Sequence, residues 1–320
     1  MENKWEGEWM ENWFQFMMFY CKNRTDWEGI SSNPNITWEM IQANPDKPWD
    51  WNGISWNPNI TWEIIEANPD KPWDWFWISQ KQNITWDIIQ GNPEKPWNWY
   101  KISQNPNITL EITQANSNRQ WDWSGISGNP NITWEMIQSN PDLDWDWFKI
   151  SRNPNITWEI IQANPDKLWD WDEVSWNPNI TWEIIQANPN LDWDWNGISQ
   201  NPNITWEIIQ ENPDSYWDWY WISQNPNITC DTIQANPDKP WDWKSFSWNP
   251  NITLEIIKEN PEKSWNWTGI FRNPMTKAKN DFLRKKHQEH YNPIVRSVFG
   301  EKGISLELVP TVLYYIGITS

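Results

Sequence analysis

The chain has 320 residues, a formal net charge of −19 and 36 tryptophans, more than its phenylalanines and tyrosines together. This aromatic content excludes a disordered acidic chain. A low mean hydropathy of −0.88, with no apolar run of about 18 residues, argues against a membrane-spanning protein. Two cysteines make no disulfide framework, and the acidic N-terminus does not read as a secretory signal, so we expect an intracellular protein.

Residues 1–32 are predicted to form an N-terminal helical cap followed by half a repeat. Residues 13–21 fall one period before residues 37–45, with Phe14 at the place of Trp38 and Met17 at the place of Ile41. The segment lacks the capping Thr and the Asn-Pro of later copies. We therefore interpret it as a degenerate terminal helix that covers the end of the array.

Residues 33–274 contain ten 24-residue repeats without an insertion. Asn-Ile-Thr occurs ten times at this spacing, from Asn35 to Asn251. Each repeat has two similar halves, represented by residues 37–45 and 50–58. Both halves read as a capping residue, Trp, two variable residues, an apolar residue, two more residues and Asn-Pro.

Each half-repeat is predicted to be one helix of about two turns. Thr or Asp caps the backbone N–H groups at its start, and proline removes the preceding residue from the helical region at its end. Such short helices are not stable alone, so their Trp and Ile side chains must pack against neighbouring helices. The prediction is an all-α solenoid with two helices per repeat and capping segments at both ends. With helices about 8–10 Å apart, we expect a rod or superhelix about 100 Å long.

Residues 275–320 are predicted to form a basic C-terminal helical cap or tail with a net charge of about +3, whereas residues 1–274 carry about −22. A helix is expected from Asn280 to Tyr291, with Asn280 as its cap and Pro293 as its stop. The apolar stretch from Val309 to Ile318 is expected to fold back on the last repeat.

Most tryptophans are predicted to be structural, because 27 of the 36 occupy three regular positions, as Trp62 does. Five others lie at positions that vary between copies, where Gly, Lys, Glu, Gln or Arg also occur. Such positions predict an exposed face on which aromatic residues act as partner contacts. They could equally pack over a neighbouring repeat. The candidate contact residues are Trp56, Trp77, Trp176, Trp221 and Trp248.

No catalytic, cofactor or metal constellation stands out, and we expect a non-enzymatic protein. His287 and His290 lack further metal ligands, and Trp147 stands where a calcium loop starting at Asp142 needs glycine. Cys230 replaces a core Trp and is expected to be buried and inert. The Asn-x-Thr sequons are better explained by turns and helix caps than by glycosylation. The acidic array argues against nucleic acid as a ligand.

One weak segment is expected within the array. Lys81 and Gln82 replace Asn-Pro, and Leu110, Thr113 and Ser117 replace Trp, Ile and Pro in the next repeat. In a stack of repeats stability is roughly a local sum. We therefore expect faster amide exchange in residues 84–120 than in residues 156–210.

The array resembles the tryptophan-rich 24-residue tandem repeats found in uncharacterised proteins of large DNA viruses. The matching motif is Asn-Pro-Asn-Ile-Thr-Trp-Glu-Ile-Ile at residues 57–65, followed by Asn-Pro-Asp-Lys-Pro-Trp-Asp-Trp at residues 68–75. The resemblance covers about three quarters of the chain. It implies a viral protein made in the infected cell, for host-protein binding or virion structure, and it carries no established activity.

The leading functional hypothesis is a protein-interaction scaffold whose acidic repeat surface binds an unidentified protein. One alternative is a self-assembling structural component of a virion or matrix. Another is a lectin-like protein that binds sugars with exposed Trp. We expect no cofactor and no membrane or nucleic-acid partner, and self-association remains open.

Overall fold

The computed structural model of the protein describes residues 2–20 and 26–299, and every regular element in these ranges is a helix. This confirms the predicted all-α repeat solenoid.

Long helices stand at the two ends, α1 (Glu2–Tyr20) and α23 (Thr276–Phe299), and two kinds of short helix alternate between them. The Asp helices, which follow Asp or Asn, are α2 (Trp27–Ser32), α4 (Trp51–Trp56), α6 (Trp75–Ile78), α8 (Trp99–Ser103), α10 (Trp123–Ser127), α12 (Trp147–Arg152), α14 (Trp171–Ser175), α16 (Trp195–Gln200), α18 (Trp219–Gln224), α20 (Trp243–Phe246) and α22 (Trp267–Arg272). The Thr helices, which follow Thr, are α3 (Trp38–Ala43), α5 (Trp62–Ala67), α7 (Trp86–Gly91), α9 (Leu110–Ala115), α11 (Trp134–Ser139), α13 (Trp158–Ala163), α15 (Trp182–Ala187), α17 (Trp206–Glu211), α19 (Cys230–Ala235) and α21 (Leu254–Glu259).

The two kinds of helix are capped with different strength. Every Asp helix has a cap side chain that accepts a hydrogen bond from a first-turn amide, for example 2.7 Å from Gly53 N to Asp50 Oδ1. The Thr caps make longer bonds, such as 3.4 Å from Met136 N to Thr133 Oγ1. At Thr61, Thr157 and Thr181 the side chain makes no such bond. The carboxylate caps therefore fix their helix starts more firmly.

Tryptophan triads hold seven of the ten Thr helices to the Asp helices beside them; α9, α19 and α21 begin with Leu or Cys instead. The ring of Trp51 meets that of Trp73 edge to face at 5.2 Å between centroids, and Trp38 lies against both. The indole N–H of Trp73 donates to the carbonyl of Asn68, which ends the preceding helix. Because the triad recurs along the array, large rings fill the space that two-turn helices alone would leave open.

The turns between helices form a ladder of asparagine side chains. The Asn57 amide donates to the carbonyls of Ser31 and Asn33, both at 2.9 Å, and to that of Ile36 at 3.1 Å. Its own oxygen accepts from the Asn59 backbone N–H. The side chain is fully buried, so each of these bonds satisfies a backbone group that water cannot reach.

The ladder runs all the way round, because the last repeat meets the first. Asn33 donates to the carbonyls of Phe271 at 2.7 Å and Asn273 at 3.0 Å, as each rung does to the repeat before it. Arg272 and Glu28 form an ion pair at 2.7 Å across the same junction. The ring contains eleven Asp helices, and the expected open rod is wrong: a constant bend at each junction brings the two ends together.

The Asp helices form the inner layer of the ring and the Thr helices the outer layer. Consecutive Asp helices pack on one another at most junctions, including α22 on α2, whereas no two Thr helices approach to a comparable extent. When two concentric layers are built from the same repeats, neighbouring helices lie closer together in the layer of smaller radius. The closely packed Asp helices are therefore the inner layer. Eleven helices about 9 Å apart have their axes on a circle about 30 Å across, and helix radii of about 5 Å leave an opening of roughly 20 Å.

Helices α1 and α23 lie where an eleventh Thr helix would stand. Phe14 stacks on Trp49 at 6.1 Å, the relation that Trp38 has to Trp73, so the predicted equivalence of Phe14 and Trp38 is confirmed. Lys286 of α23 pairs with Glu8 of α1 at 2.6 Å, and Lys279 pairs with Glu6 at 3.2 Å. The two terminal helices thus hold each other beside the closing junction.

The predicted C-terminal helix was too short. Helix α23 begins at Thr276 and continues through Asn280 and Pro293 to Phe299. Asn280 therefore lies inside the helix rather than at its cap, and Pro293 does not stop it. The apolar stretch from Val309 to Ile318 lies outside the described residues.

The irregular rung at Lys81 keeps the ladder connected. Its side chain is 8% exposed, and Nζ donates to the carbonyls of Ser55 and Asn57, as an Asn amide does elsewhere. Burial lowers the pKa of Lys81 to about 7. Next to it, Asn83 keeps one ladder bond, at 3.3 Å to Ile60, and its buried side-chain oxygen has no partner. The predicted local weakness thus has its clearest structural counterpart at this rung.

Candidate functional site

The inside of the ring is lined by one face of each Asp helix. In α4, Trp51 and Ile54 point toward the Thr helix layer, and Trp51 contacts Trp38 there. On a helix, Asn52 and Trp56 project to the opposite side, with Gly53 turned toward the preceding Asp helix. We call these three positions in all eleven Asp helices the lumenal face.

Exposed aromatic side chains concentrate on the lumenal face. Nine large apolar side chains in the described residues are exposed, and six of them occupy this face. Two were predicted as contacts, Trp56 at 47% and Trp248 at 39% exposure. The other four stand at the position of Asn52 and were missed: Phe76, Tyr100, Phe148 and Tyr220. The variability of that position was visible in the repeats, but only its neighbours carry tryptophan, so the search for extra Trp overlooked them.

The remaining predicted contacts are half-buried against neighbouring repeats. Trp77 stacks on Trp56 with 5.4 Å between ring centroids. Trp176 meets Trp221 edge to face at 5.0 Å. The structure thus brings four of the five predicted tryptophans into two pairs. Trp248 lies instead over Gly269 of the next repeat.

The expectation that the Gly53 position is exposed is wrong. Gly53, Gly125 and Gly197 are buried, and Trp77 and Lys101 at the same position are half-buried. A Cβ added to Gly53 would lie 2.5 Å from the carbonyl oxygen of Glu28. The position lies at the edge of the lumenal face, on the side of its helix that packs against the preceding Asp helix, so its residues are buried or half-buried.

The variability of this position reflects pairing across each junction. Trp176 covers Gly197, and a Cβ there would lie 2.8 Å from the indole ring. Gly128 has no side chain, and its neighbour on the next Asp helix is the long Lys149. Arg152 faces Glu173 at 3.6 Å as an ion pair. At these three junctions the residues are matched in size or charge, whereas Trp56 and Trp77 are both large and lie against each other.

Charge is distributed unevenly between the two sides of the ring. The Thr helices carry an exposed carboxylate in each repeat, two residues after the capping Thr, from Glu39 to Glu255. At Glu63, a hydrogen bond to the Thr61 side chain and one to its own backbone amide lower the carboxyl pKa, so the outer charge persists at neutral pH. The lumenal face has more cations than anions. Its charged residues are Lys101, Lys149, Arg152, Lys244 and Arg272 against Glu28, Asp172 and Glu173.

The Asn-x-Thr sequons of the array have a structural role. The Asn59 side-chain nitrogen donates to the carbonyls of Pro34 and Ile36, both at 2.8 Å. The same pair of bonds recurs at Asn179 and Asn227. This nitrogen is the atom that would carry a glycan, so folding removes it from reaction.

Other chemistry that the sequence raised has little support in the structure. Cys230 donates to the carbonyl of Asn251 at 3.3 Å, and burial raises the pKa of its thiol to about 11. Within the described ranges, no three His, Cys, Asp or Glu side chains are grouped closely enough to hold a metal ion. His287 packs edge-on against Trp5 at 4.7 Å.

None of the described helices is both long and apolar enough to cross a bilayer. Comparison with protein-family models and with curated protein sequences found no match for the chain.

Proposed function

We propose that this protein is a non-catalytic scaffold that binds a protein partner inside its ring. The observation that carries the proposal is the concentration of exposed aromatic side chains on the lumenal face. Aromatic and Arg side chains supply most of the binding energy at protein interfaces. A contiguous apolar surface that the fold leaves open is typical of an interaction site.

The position of Asn52 is the best discriminator between structural and binding roles. Its side chains lie on the open side of the helix and vary from Glu28 and Asp172 to Phe148 and Tyr220. Glu28 contacts Arg272 and Phe76 contacts Lys101 across a junction, but both residues at the Asn52 position remain exposed. The four aromatic residues there are therefore the strongest candidates for partner contacts, together with Trp56 and Trp248.

The resemblance to repeats of large DNA viruses supports a protein made and acting in an infected host cell. The acidic outer layer supports solubility and opposes binding of nucleic acid there, because carboxylates repel phosphates. Self-assembly into a virion or matrix and sugar binding are the competing functions. Light scattering that gives a multiple of 38.8 kDa favours the first, and selective binding on a glycan array favours the second.

Site-specific photo-crosslinking tests the proposal in the cell that makes the protein. A benzophenone amino acid is placed at Tyr220, on the lumenal face, or at Tyr216, which is 79% exposed in a loop outside it. We expect polypeptide crosslinks from position 220 and few from position 216. Equal yields from the two positions, or crosslinks from position 216 alone, would contradict a lumenal binding surface.

A further inference from the structure

One arc of the lumenal face joins an unpaired cation to four aromatic rings. It spans α4, α6 and α8. The Lys101 ammonium lies 4.7 Å from the ring centroid of Phe76, 5.2 Å from that of Trp77 and 5.4 Å from that of Tyr100. Trp56 extends the aromatic surface by stacking on Trp77. We call these five residues the Lys101 arc.

Lys101 differs from the two arginines at other junctions. Arg152 faces Glu173, and Arg272 faces Glu28, so each of these guanidinium groups has a carboxylate partner. Among the described residues, no ion pair includes Lys101, whose ammonium donates to the amide oxygen of Gln104 at 3.1 Å. Partial burial lowers the pKa of Lys101. The carboxylate of a ligand would stabilise the charged form of Lys101, which partial burial destabilises.

The rings around Lys101 provide apolar surface beside the charge. Trp56, Phe76 and Tyr100 are 47%, 37% and 43% exposed, so a ligand can reach all three. Aromatic faces bind apolar side chains and attract cations, and here a resident cation already occupies the cluster. The arc is therefore complementary to a group that places an anion next to an apolar side chain.

The charge of the whole ring narrows the class of ligand. The array is strongly acidic, so a strand with a phosphate at every nucleotide is repelled except at the lumenal cations. A neutral sugar stacks on the rings but leaves Lys101 without a counter-ion. A polypeptide with a few carboxylates can direct them at the lumenal cations and place apolar side chains between them.

We propose that the Lys101 arc binds an extended polypeptide segment that carries a carboxylate and large apolar side chains at every second residue, on one face of the segment. A carboxylate pairs with the Lys101 ammonium, and the apolar side chains two residues before and after it pack on Trp56, Phe76 and Tyr100. An opening of roughly 20 Å accepts such a segment, since even a helix with its side chains is about 10–12 Å wide. This inference rests on the proposed function and specifies its partner.

Fluorescence anisotropy with defined probes on the intact protein tests the occupant. The main probe is a labelled twelve-residue peptide that repeats Glu-Ser-Leu-Ser, the Glu–Leu peptide, which places Glu and Leu on one face when extended. The comparison probes are a peptide that repeats Lys-Ser-Leu-Ser, the Lys–Leu peptide, a peptide that repeats Glu-Ser-Ser-Ser, a twelve-nucleotide oligothymidine and cellohexaose. We expect the Glu–Leu peptide to bind at least tenfold more tightly than any other probe.

Variants locate the binding. Lys101→Gln and Phe76→Ala should each weaken the Glu–Leu peptide at least tenfold, while Lys239→Gln on an exposed outer loop should leave it unchanged. Thermal unfolding of each variant verifies that the ring remains folded. Lys101→Arg keeps the positive charge and should therefore retain binding of the Glu–Leu peptide.

The outcomes separate this inference from the function on which it rests. Binding of the Lys–Leu peptide, oligothymidine or cellohexaose that depends on Phe76 keeps a lumenal binding surface but overturns the acidic–apolar ligand. Glu–Leu binding that is indifferent to Lys101 also overturns it. If no probe shows binding that depends on Phe76 or Tyr100, the acidic–apolar ligand is overturned, and the crosslinks from position 220 against those from position 216 decide the lumenal surface separately.

Discussion

Two sets of contacts join each repeat to the next, and they differ in what they bind. The ladder at the turns uses asparagine at ten of its eleven rungs and donates to backbone carbonyls, as Asn57 does to Asn33. At the variable positions of successive Asp helices a side chain meets the neighbouring residue instead, and no two of the junctions of Trp176, Arg152 and Gly128 share a chemistry.

The difference explains why one set is invariant and the other variable. A backbone carbonyl is the same in every repeat, so the side chain that binds it has no reason to change. A side-chain partner can change together with its neighbour, as Gly128 with Lys149 and Trp176 with Gly197. Variability between copies therefore indicates a paired contact as often as a binding surface, and even at the more open position of Asn52 Glu28 pairs with Arg272 and Phe76 lies under Lys101.

Breaking a rung of the ladder should have the largest effect. Asn177→Ala removes donors to the carbonyls of Ser151, Asn153 and Ile156, and the acceptor for the Asn179 amide. Because these groups are buried, we expect a loss of about 2–4 kcal/mol in the free energy of unfolding. Denaturant titration measures it, with Gln186→Ala on the exposed side of α15 as the control. A loss no larger than that of the control would show that the rung is dispensable.

Changing one side of a lumenal pair should have a smaller effect that its partner can reverse. Gly197→Lys places a side chain against Trp176 and should cost about 1–3 kcal/mol through overpacking. Adding Trp176→Gly recreates the pairing of Gly128 with Lys149 and should recover most of the loss. A double-mutant cycle measures the coupling. Additive losses would argue against size matching.

The Lys81 rung allows the ladder to be strengthened. Lys81→Asn restores the regular residue and removes a buried cation, so we expect stabilisation of about 1–2 kcal/mol at pH 7.

Folded Lys81 has a pKa of about 7 against an ordinary 10.5, so the unfolded chain binds more protons between these values. Stability of the unmodified protein should therefore rise with pH across this window.

Denaturation at pH 7 and pH 8 tests this, below the ordinary thiol pKa of 9.0 that Cys230 has in the unfolded chain. The rise should disappear in Lys81→Asn and persist in Lys239→Asn, which changes an exposed loop lysine. An unchanged pH slope in Lys81→Asn would place the titrating group elsewhere.

Helix caps should give the smallest difference. Asp50→Ala removes a 2.7 Å bond to the Gly53 amide and should cost about 1 kcal/mol. Thr61→Ala should cost a few tenths of a kcal/mol, because the Thr61 side chain makes no cap bond. Thermal melts of the two variants compare them directly. Equal losses would contradict the ranking of the two kinds of cap.

The helices and their core were predictable because their signals are local. Capping residues, Asn-Pro stops and the spacing of Trp and Ile define each two-turn helix, and Trp62 is buried as expected. Ring closure was not predictable in this way. It depends on a small bend at each junction, and such a bend has no signature within a single repeat.

The lumenal site was partly predictable for a related reason. Variation between copies marked the right three positions, but the sequence does not tell which of them faces the opening and which faces the preceding helix. That distinction depends on how Asp helices pack. In the structure Trp77 is half-buried, which favours a structural role. Tyr100 and Tyr220 are exposed and become candidate partner contacts.

Closure of the ladder through Asn33 makes the order of the repeats formally cyclic. Each of the eleven junctions between Asp helices has another junction on either side of it around the ring. The architecture therefore does not fix where the chain begins and ends. A circular permutant opened in the loop at Pro141 and joined between α23 and α1 has the same junctions to form. A chain with one repeat deleted does not, because ten units would have to share a full turn, about 36° each instead of about 33° for eleven units. An open solenoid changes length freely during evolution, whereas this ring ties copy number to curvature.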